Sequence, residues 1–284
     1  MSGIRNSSRR WLGGVVAAML VVAAQSASAM PKPDPWPRWA AHDPGSAEII
    51  DHRSWDRFLE KHLIAGEDGV NRLSYGQVGA ADRRALEIYL ASLAAIPISD
   101  HRRGEQLAYW VNLYNALTVK VVLDHYPVAG ILDINISPGW FSVGPWRKKL
   151  IRVEGHALSL DDIEHRILRP IWRDPRIHYA VNCASTGCPN LRLRAFAGAT
   201  IEAELTAAAR DYVNNWRGVM FDRGVLYVSS IYKWFREDFG GTDASVITHL
   251  RAYAEPALAG RLARARDIGG HHYDWNLNDA GRPL

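Results

Sequence analysis

The spacing of apolar residues predicts a chain in which helices and short strands are mixed. Helical periodicity begins with SWDRFLEKHLI at Ser54, and the longest and most apolar helical stretch is GEQLAYWVNLYNALTVKVVLDHY, which ends before Pro127. A helix that is apolar on most of its surface belongs inside a protein, so we expect this one to run through the core. The other predicted helices lie in AADRRALEIYLASLAAI, LDDIEHRILRP, TIEAELTAAARDYVNNW, SIYKWFREDF and DASVITHLRAYA.

Short runs of β-branched and aromatic residues predict the strands. Two hairpins are expected: KKLIRVEGHALSL turns at Glu154-Gly155, and GVMFDRGVLYVS turns around Gly224. Further strands are predicted in GEDGVNRLSYGQV and in PRIHYAVNC. Because helices and strands mix without a βαβ rhythm, we predict an α+β fold, a single mixed domain in which several helices pack on a small, mostly antiparallel sheet.

The first 29 residues have the layout of a secretory signal peptide. Basic MSGIRNSSRR, which has no acidic residue, precedes apolar WLGGVVAAMLVVAA and the small-residue stretch ASA. We therefore predict a signal peptide at 1–29, an extended proline-rich arm at 30–53 and one domain at 54–284. A permanent membrane anchor is the alternative, but the apolar stretch is short for a bilayer span of about 20 residues. We expect an exported protein of the bacterial periplasm, without stable membrane insertion after cleavage.

Removing this segment nearly balances the charge of the chain. The full chain has 34 Lys and Arg against 30 Asp and Glu, and the segment carries three arginines and no acid. The remaining basic residues are scattered and form no stripe interleaved with aromatic side chains, so we predict no nucleic-acid partner. Hydrophobic residues make up 48% of the chain, which predicts a packed core. Trp36 and Trp39 of the arm are expected to lie against that core.

Both cysteines lie in HYAVNCASTGCPNL, where a predicted strand gives way to a turn of small residues. A strand end can present Cys183 as a nucleophile, and backbone N–H groups of the turn could stabilise a thiolate or an oxyanion. The spacing also fits a disulfide with Cys188, which export favours and which would stabilise the fold by about 2 kcal/mol. A buried structural thiol is a third possibility.

A zinc site is a further alternative. His178, Cys183 and Cys188 are spaced closely enough to share a metal ion, and His165 could join them. However, the chain has neither a Cys-x-x-Cys pair nor a His-Glu-x-x-His motif. On a regular strand His178 and Cys183 would also point to opposite faces, because they are an odd number of residues apart. We therefore predict no metal and no cofactor, and keep a structural zinc protein as a minor alternative.

A cysteine nucleophile needs a base and an orienting group. His165 and Glu164 lie beside the apolar side of the helix in LDDIEHRILRP, which Ser159 is predicted to cap together with Asp162. As neighbours they diverge by about 100° on a helix, too far for a ready hydrogen bond. The plainer interpretation is an exposed helix surface, and for His178 it is packing at the edge of the core.

The long apolar helix carries a polar stripe. Glu105, Asn112 and Asn115 fall on one side of it at spacings of seven and three, with Tyr109 alongside. A buried amide or carboxylate is costly unless it is hydrogen-bonded. The stripe therefore either braces a loop or lines a polar binding site.

Four stretches in one order resemble the domain of unknown function 547 family: LAYWVNLYNALTVK, SLDDIEHRILRP, DPRIHYAVNCASTGCPNL and YDWNLND. The resemblance spans roughly Ser54 to Asp279. The family's Trp-x-Asn-x-Tyr-Asn motif, Ile-Glu-His triplet and cysteine match here at Asn112, Asn115, Glu164, His165 and Cys183. The second cysteine is less uniform in the family, so the resemblance implies a shared Cys-His-acid set rather than an obligatory disulfide. It implies no particular reaction.

These observations predict a cysteine-dependent hydrolase or an acyl or thiol transferase that acts on small molecules or peptides in the cell envelope. Cys183 would be the nucleophile, His165 the base, and Glu164 or Glu105 the acid. The predicted binding residues are Glu105, Asn112, Asn115 and His178. The alternative is a non-catalytic periplasmic module that binds a ligand or protein, with Cys183 and Cys188 as a structural pair and the Trp-rich loop Trp140–Trp146 in its cleft.

Overall fold

The computed structural model of the protein describes residues 32–139 and 143–281. The predicted signal peptide, residues 1–29, lies outside them. Within the described residues, no helix combines the length and the apolar character that a membrane span requires. These residues form a single α+β domain, so the predicted fold class is confirmed.

Helices make up most of the regular structure. A π-helical segment, Asp162–Leu168, leads directly into the fourth of the α-helices. The α-helices of the described residues are α1 (Arg53–His62), α2 (Ala80–Ala94), α3 (Arg103–His125), α4 (Arg169–Trp172), α5 (Ile177–Ala180), α6 (Ile201–Val213), α7 (Ile231–Trp234), α8 (Asp243–Tyr253) and α9 (Pro256–Leu262).

The strands of the described residues are distributed over three small sheets rather than one. They are β1 (Leu63–Ala65), β2 (Asn71–Leu73), β3 (Ile151–Val153), β4 (His156–Leu158), β5 (Val219–Asp222), β6 (Val225–Ser229) and β7 (Gly270–His272). β1–β2, β3–β4 and β5–β6 are antiparallel hairpins, and β7 joins β6 in parallel. Both predicted hairpin turns are confirmed, with Gly155 and Gly224 in the left-handed region that favours glycine.

Helix α3 is the central element of the domain. It is buried along almost its whole length, which confirms the expectation from its apolar sequence. α2 and the π-helical segment pack against it. Together with α1 and the first two hairpins, these elements enclose the larger of two apolar clusters.

The second apolar cluster lies among α6, α7, α8 and the β5–β6 hairpin. The short helix α5 joins the two clusters, because Ile177 and Ala180 pack into the first while Tyr179 packs into the second. The chain that follows α5 carries both cysteines. The cysteine loop therefore begins at the junction between the two clusters.

The strand predicted over residues 175–183 is wrong. Ile177–Ala180 forms the single helical turn α5, and the chain becomes extended only at Val181, with φ −89° and ψ 131°. All four residues of α5 are buried, and a buried helical turn has the same apolar composition as a buried strand. Because Ile177–Ala180 is helical, the expectation that His178 and Cys183 point to opposite faces of a strand no longer applies.

The N-terminal arm lies against the domain as expected. The backbone N–H groups of Asp34 and Trp36 donate to the carbonyl oxygens of His165 and Arg166 at 3.0 and 3.1 Å. Trp39 is 2% exposed, and its ring lies edge-on to that of Trp110 on α3 at 5.1 Å. The arm therefore contributes aromatic side chains to the larger core.

Candidate functional site

A small cavity lies where the two apolar clusters meet. Its volume is about 60 Å³, which is room for a small group of atoms rather than a whole metabolite. The groups of its wall that can carry chemistry are Glu164, His178, Cys183 and Cys188. Six aromatic residues complete it: Tyr114, Trp146, Trp234, Phe235, Tyr273 and Trp275. The fold thus brings together three of the predicted site residues, Cys183, Glu164 and His178.

Cys183 and Cys188 form a disulfide, with their Cα atoms 6.2 Å apart. Among the alternatives that the spacing left open, the structure has the bridged pair. The two residues differ in exposure, because Cys188 is only 3% exposed whereas Cys183 is half-buried. An attacking group from solvent therefore meets Cys183 first.

Two hydrogen-bond donors point at the sulfur of Cys188. The backbone N–H of Cys183 donates to it at 2.9 Å, and the hydroxyl of Tyr273 lies 3.1 Å from it. The same hydroxyl lies 3.1 Å from the sulfur of Cys183 and 3.0 Å from the hydroxyl of Ser185. Burial raises the pKa of Tyr273, so its phenol stays protonated and able to donate at neutral pH.

The segment after β7 clamps the cysteine loop. The backbone N–H groups of Thr186 and Gly187 donate to the carbonyl oxygens of Asn276 and Asp274 at 2.7 and 2.8 Å. A Cβ atom on Gly187 would lie 2.7 Å from the backbone nitrogen of Asp274, so only glycine allows this close approach. Asp274 and Asn276 thus hold the cysteine loop through their backbone carbonyls.

Glu164 is a buried carboxyl group at the back of the cavity. The hydroxyl of Tyr114 donates to its Oε2 at 3.1 Å, and its Oε1 lies 3.8 Å from Nδ1 of His178. Burial raises the pKa of Glu164, and the positive charge of Arg169, together with that of His178 when its ring is protonated, opposes this only in part. The carboxyl group therefore keeps its proton to a higher pH than a solvated one.

His178 sits between Glu164 and a second carboxylate. Its Nε2 lies 2.7 Å from Oδ2 of Asp238, and its ring stacks on Phe235 at 4.1 Å. Because a carboxylate accepts, we assign the proton to Nε2, which leaves the lone pair of Nδ1 facing Glu164. Burial lowers the pKa of His178 even though both carboxylates favour its charged form. His178 is thus a neutral base, oriented by Asp238.

Asp238 was not among the predicted site residues. It lies 60 residues from His178 in sequence and also accepts from Nε of Arg169 at 2.6 Å. Burial alone would raise the pKa of Asp238, but the hydrogen bonds from His178 and Arg169 outweigh burial and lower it to about 2. Asp238 is therefore ionised at any pH at which the protein would work.

His165 does not line the cavity, although we predicted it as the base. Nη1 of Arg169 donates to its Nδ1 at 3.0 Å, and its Nε2 lies 3.8 Å from Asp161. Burial lowers the pKa of His165 to about 4, so the ring is neutral and its lone pair is already occupied. The structure places His178, not His165, beside the cysteines. The interpretation of Glu164 and His165 as an exposed helix surface is wrong, because both are buried.

The local fold explains why Glu164 and His165 are both inside. Ser159 caps the helical turn that leads into the π-helical segment, as predicted: its Oγ accepts from the N–H of Asp162 at 3.2 Å, and its own N–H donates to Oδ2 of Asp162 at 2.8 Å. The segment then winds as a π-helix, a rare form that recurs at functional sites. Neighbouring residues on this segment therefore reach different interior partners.

The polar stripe of α3 braces loops rather than lining the cavity. Asn112 exchanges two hydrogen bonds with the backbone of Phe196, at 2.8 and 3.0 Å. Asn115 donates to the carbonyl of Ala180 at 2.9 Å and accepts from the N–H of Asn182 at 2.8 Å. It thereby fixes the chain directly before Cys183.

The third member of the stripe, Glu105, lies near the start of α3. It accepts from the backbone N–H of Ile50 at 3.3 Å and pairs with Arg102 at 3.1 Å. It therefore binds the N-terminal arm and does not meet the cysteines. Across residues 32–139 and 143–281, no group of three or more His, Cys, Asp or Glu side chains is placed to hold a metal ion. Trp146 of the predicted Trp-rich loop lines the cavity, whereas Trp140 lies outside the described residues.

Comparison with known proteins adds one finding. Residues 98–213 match the family model described as "Protein of unknown function, DUF547". This range is narrower than the resemblance expected from Ser54 to Asp279, and it includes Glu164, His178 and both cysteines but neither Asp238 nor Tyr273. No curated protein and no solved structure matches the chain. The match confirms the predicted assignment to the DUF547 family for residues 98–213 of the chain.

Proposed function

We propose that the protein is an exported, cysteine-dependent thiol transferase of the cell envelope, which exchanges its Cys183–Cys188 disulfide with substrate thiols. Hydrolysis, acyl transfer and thiol transfer were the predicted reactions. Thiol transfer is the one in which the disulfide itself is a reactant. The observation that carries the proposal is that the disulfide shares a cavity with Glu164 and His178. A disulfide that only staples a loop has no need of a buried acid and base, which are costly to bury.

The first step would be attack of a substrate thiolate on the sulfur of Cys183. A bond forms between the substrate sulfur and Cys183, the bond from Cys183 to Cys188 breaks, and the electron pair stays on Cys188. A second substrate thiol then attacks the mixed disulfide. It releases an oxidised substrate disulfide and leaves both cysteines reduced, so the two electrons lost by the substrate are gained by the protein.

The surroundings of the two sulfurs favour this direction of attack. Cys183 is the more exposed residue, and Cys188 is the buried one. The N–H of Cys183 and the hydroxyl of Tyr273 already point at the sulfur of Cys188. Hydrogen bonds to a sulfur stabilise its thiolate form, and a stabilised thiolate is the better leaving group.

The buried acid and base supply the proton transfers of this step. Nδ1 of His178 takes the proton of the incoming thiol, and Asp238 stabilises the imidazolium that results. Glu164, whose pKa is raised by burial, protonates the thiolate of Cys188 from its acid form. The 3.8 Å approach between Glu164 and His178 lets the proton return from the imidazolium to the carboxylate, which restores both groups.

The size of the cavity limits the substrate. A volume of about 60 Å³ admits a thiol on a short methylene arm, with the rest of the molecule outside. The aromatic wall would pack against that arm. We therefore propose cysteine-containing peptides or small thiols as substrates.

The aromatic wall also favours a second candidate, a binding module with a structural disulfide. Tyr273 and Trp275 lie 4.7 Å apart between ring centroids, and Trp234 lies 4.7 and 5.4 Å from them. Such a cluster can hold an apolar ligand without any chemistry. The two candidates differ in one respect, which is the reactivity of the disulfide.

The test uses single-cysteine variants and glutathione as the probe. Oxidised glutathione is added to Cys188→Ser and to Cys183→Ser, and the mixed disulfide is followed by intact mass. We expect Cys188→Ser to take up one glutathione at least tenfold faster than Cys183→Ser, because Cys183 is the accessible sulfur. His178→Gln in the Cys188→Ser background should slow the uptake, whereas His165→Gln in that background should not.

Reduced glutathione at millimolar concentration is then applied to the folded wild-type protein. Release of two thiols, counted by alkylation, supports the proposal. A disulfide that stays closed, together with a Cys188→Ser variant that takes up no glutathione, overturns the thiol transferase and leaves the binding module. Circular dichroism of every variant shows that a slow rate does not come from unfolding.

A further inference from the structure

Arg217 is a buried cation directly behind the cysteine loop. Its residue is 2% exposed, and its Nη1 donates to the carbonyl oxygens of Cys188 and Thr186 at 2.7 and 3.3 Å. Its remaining N–H groups donate to Asn215 Oδ1, Gly69 O and Asn190 Oδ1 at 2.8, 3.2 and 3.1 Å. All five acceptors are neutral.

This arrangement is unusual for a buried arginine, since buried guanidinium groups generally pair with carboxylates. Arg169 does so, with Asp238 at 2.6 Å. Among the described residues, no carboxylate lies within ion-pair distance of Arg217. The protein thus keeps a desolvated positive charge next to Cys188, and the carboxylates of Asp211 and Asp68 act on it only from beyond ion-pair distance.

The backbone around Cys188 is held on both sides. Arg217 binds the carbonyls of Thr186 and Cys188, and the hydroxyl of Tyr212 donates to the carbonyl of Gly187 at 2.7 Å. The N–H of Cys188 donates to the carbonyl of Ser185 at 3.0 Å. When the disulfide opens, Cys188 therefore stays where it is, and the new thiolate forms on the residue whose carbonyl binds the guanidinium.

We propose that Arg217 is the positioning residue that stabilises the thiolate of Cys188 and makes Cys188 the leaving group. This inference rests on the proposed function and deepens it. A positive charge favours a thiolate over a neutral thiol or a disulfide. Arg217 therefore lowers the pKa of the Cys188 thiol and raises the reduction potential of the disulfide, which makes the protein a stronger oxidant of substrate thiols.

Two variants separate the charge of Arg217 from its hydrogen bonds. Arg217→Gln removes the positive charge and keeps hydrogen-bond donors, while Arg217→Lys keeps the charge and loses the planar guanidinium group. The first readout is the equilibrium of the disulfide with a glutathione or dithiothreitol redox buffer. We expect Gln to disfavour the reduced form about tenfold, which corresponds to about 30 mV for this two-electron couple, and Lys to stay close to wild type.

The second readout is the pKa of the Cys188 thiol, from alkylation rate against pH in the Cys183→Ser background. Gln should raise this pKa by about one unit, and Lys should not. Cys183→Ser with Arg217 intact serves as an internal check if a variant does not fold. Its Cys188 should titrate below the free-cysteine value of about 8.5, although burial alone would raise it.

The thiol pKa does not depend on catalysis, so the two proposals fail separately. A wild-type protein that exchanges no thiol overturns the proposed function. A Cys188 pKa at or above about 8.5 with Arg217 intact, or a pKa and potential that Arg217→Gln leaves unchanged, overturns this inference and leaves Arg217 as a brace of the loop.

Discussion

The domain buries two sets of polar side chains, and it satisfies them in opposite ways. On α3, Asn112 and Asn115 exchange hydrogen bonds with backbone groups of distant loops. Around the cavity, Glu164, His178 and Asp238 face one another and other ionisable groups. The first set does not titrate, whereas every member of the second has a shifted pKa.

The two kinds of hydrogen-bond partner distinguish side chains that hold the backbone in place from side chains that can exchange protons. An amide that bonds backbone N–H and C=O groups has one arrangement and contributes order to the chain it holds. Carboxyl and imidazole groups that bond each other can move a proton among themselves, and groups with shifted pKa values cluster at functional sites. The comparison yields four predictions, ordered by their expected effect on stability.

The largest effect is expected for Asn115→Ala. It leaves the carbonyl of Ala180 and the N–H of Asn182 buried without partners, which costs about 3 kcal/mol of unfolding free energy. Urea unfolding measures the loss. Lys120→Ala on the same helix is the control, because it removes only a partly exposed ion pair with Asp124 and should cost less than about 0.5 kcal/mol. Equal effects of the two changes would contradict a bracing role.

Asp238→Asn should cost about 2 kcal/mol at neutral pH, because it removes the ion pair between Asp238 and the buried Arg169. The pKa of Asp238 is about 2 in the folded state, below its ordinary value of 3.8. The stability that its ionised form contributes is therefore complete above pH 3.8 and is lost as the pH falls through 2. Unfolding curves for wild type and variant should therefore converge toward pH 2. A constant gap across this range would mean that the ionised carboxylate is not the source.

Glu164→Gln should change the pH dependence of the unfolding free energy in the opposite sense. Burial raises the folded-state pKa of Glu164, so its contribution to stability is complete below the unfolded carboxyl pKa and is lost as the pH rises through the folded value. Glutamine does not titrate and still accepts from Tyr114. The variant should match wild type near pH 4 and become the more stable of the two as the pH rises toward 8. A less stable variant at pH 8 would place Glu164 among the braces.

The smallest effect on stability is expected for Tyr273→Phe, below about 1 kcal/mol, because only one hydroxyl is lost and the ring still packs. The rate of thiol exchange should fall severalfold, since one of two donors to Cys188 disappears. Stopped-flow mixing with reduced glutathione measures the rate. An unchanged rate would remove Tyr273 from the stabilisation of the leaving sulfur.

Much of the fold follows from the sequence pattern. The apolar surface of α3, the glycine turns of two hairpins and the capping by Ser159 of the turn that leads into the π-helical segment all arise from neighbouring residues, and all were predicted. The strand predicted at α5 failed because burial on all sides hides the difference between a helical turn and a strand.

The site was only partly predictable, because its partners meet through tertiary structure. Asp238 and Tyr273 lie 60 and 90 residues from the groups they serve. One local signal was available for His165: Arg169 follows it by four residues, the spacing at which side chains on a helix meet. That spacing predicts an occupied lone pair on His165, which leaves His178 as the candidate base.

The clamp formed after β7 has a consequence for the order in which the domain is completed. Tyr273, Asp274 and Asn276 cover the cysteine loop, and Asp279 bridges to Leu73 near the other end of the described chain. A chain that is synthesised from its N-terminus exposes both cysteines well before these residues exist. The nascent protein therefore carries both thiols without this cover, which forms only when residues 273–279 have folded over the cysteine loop.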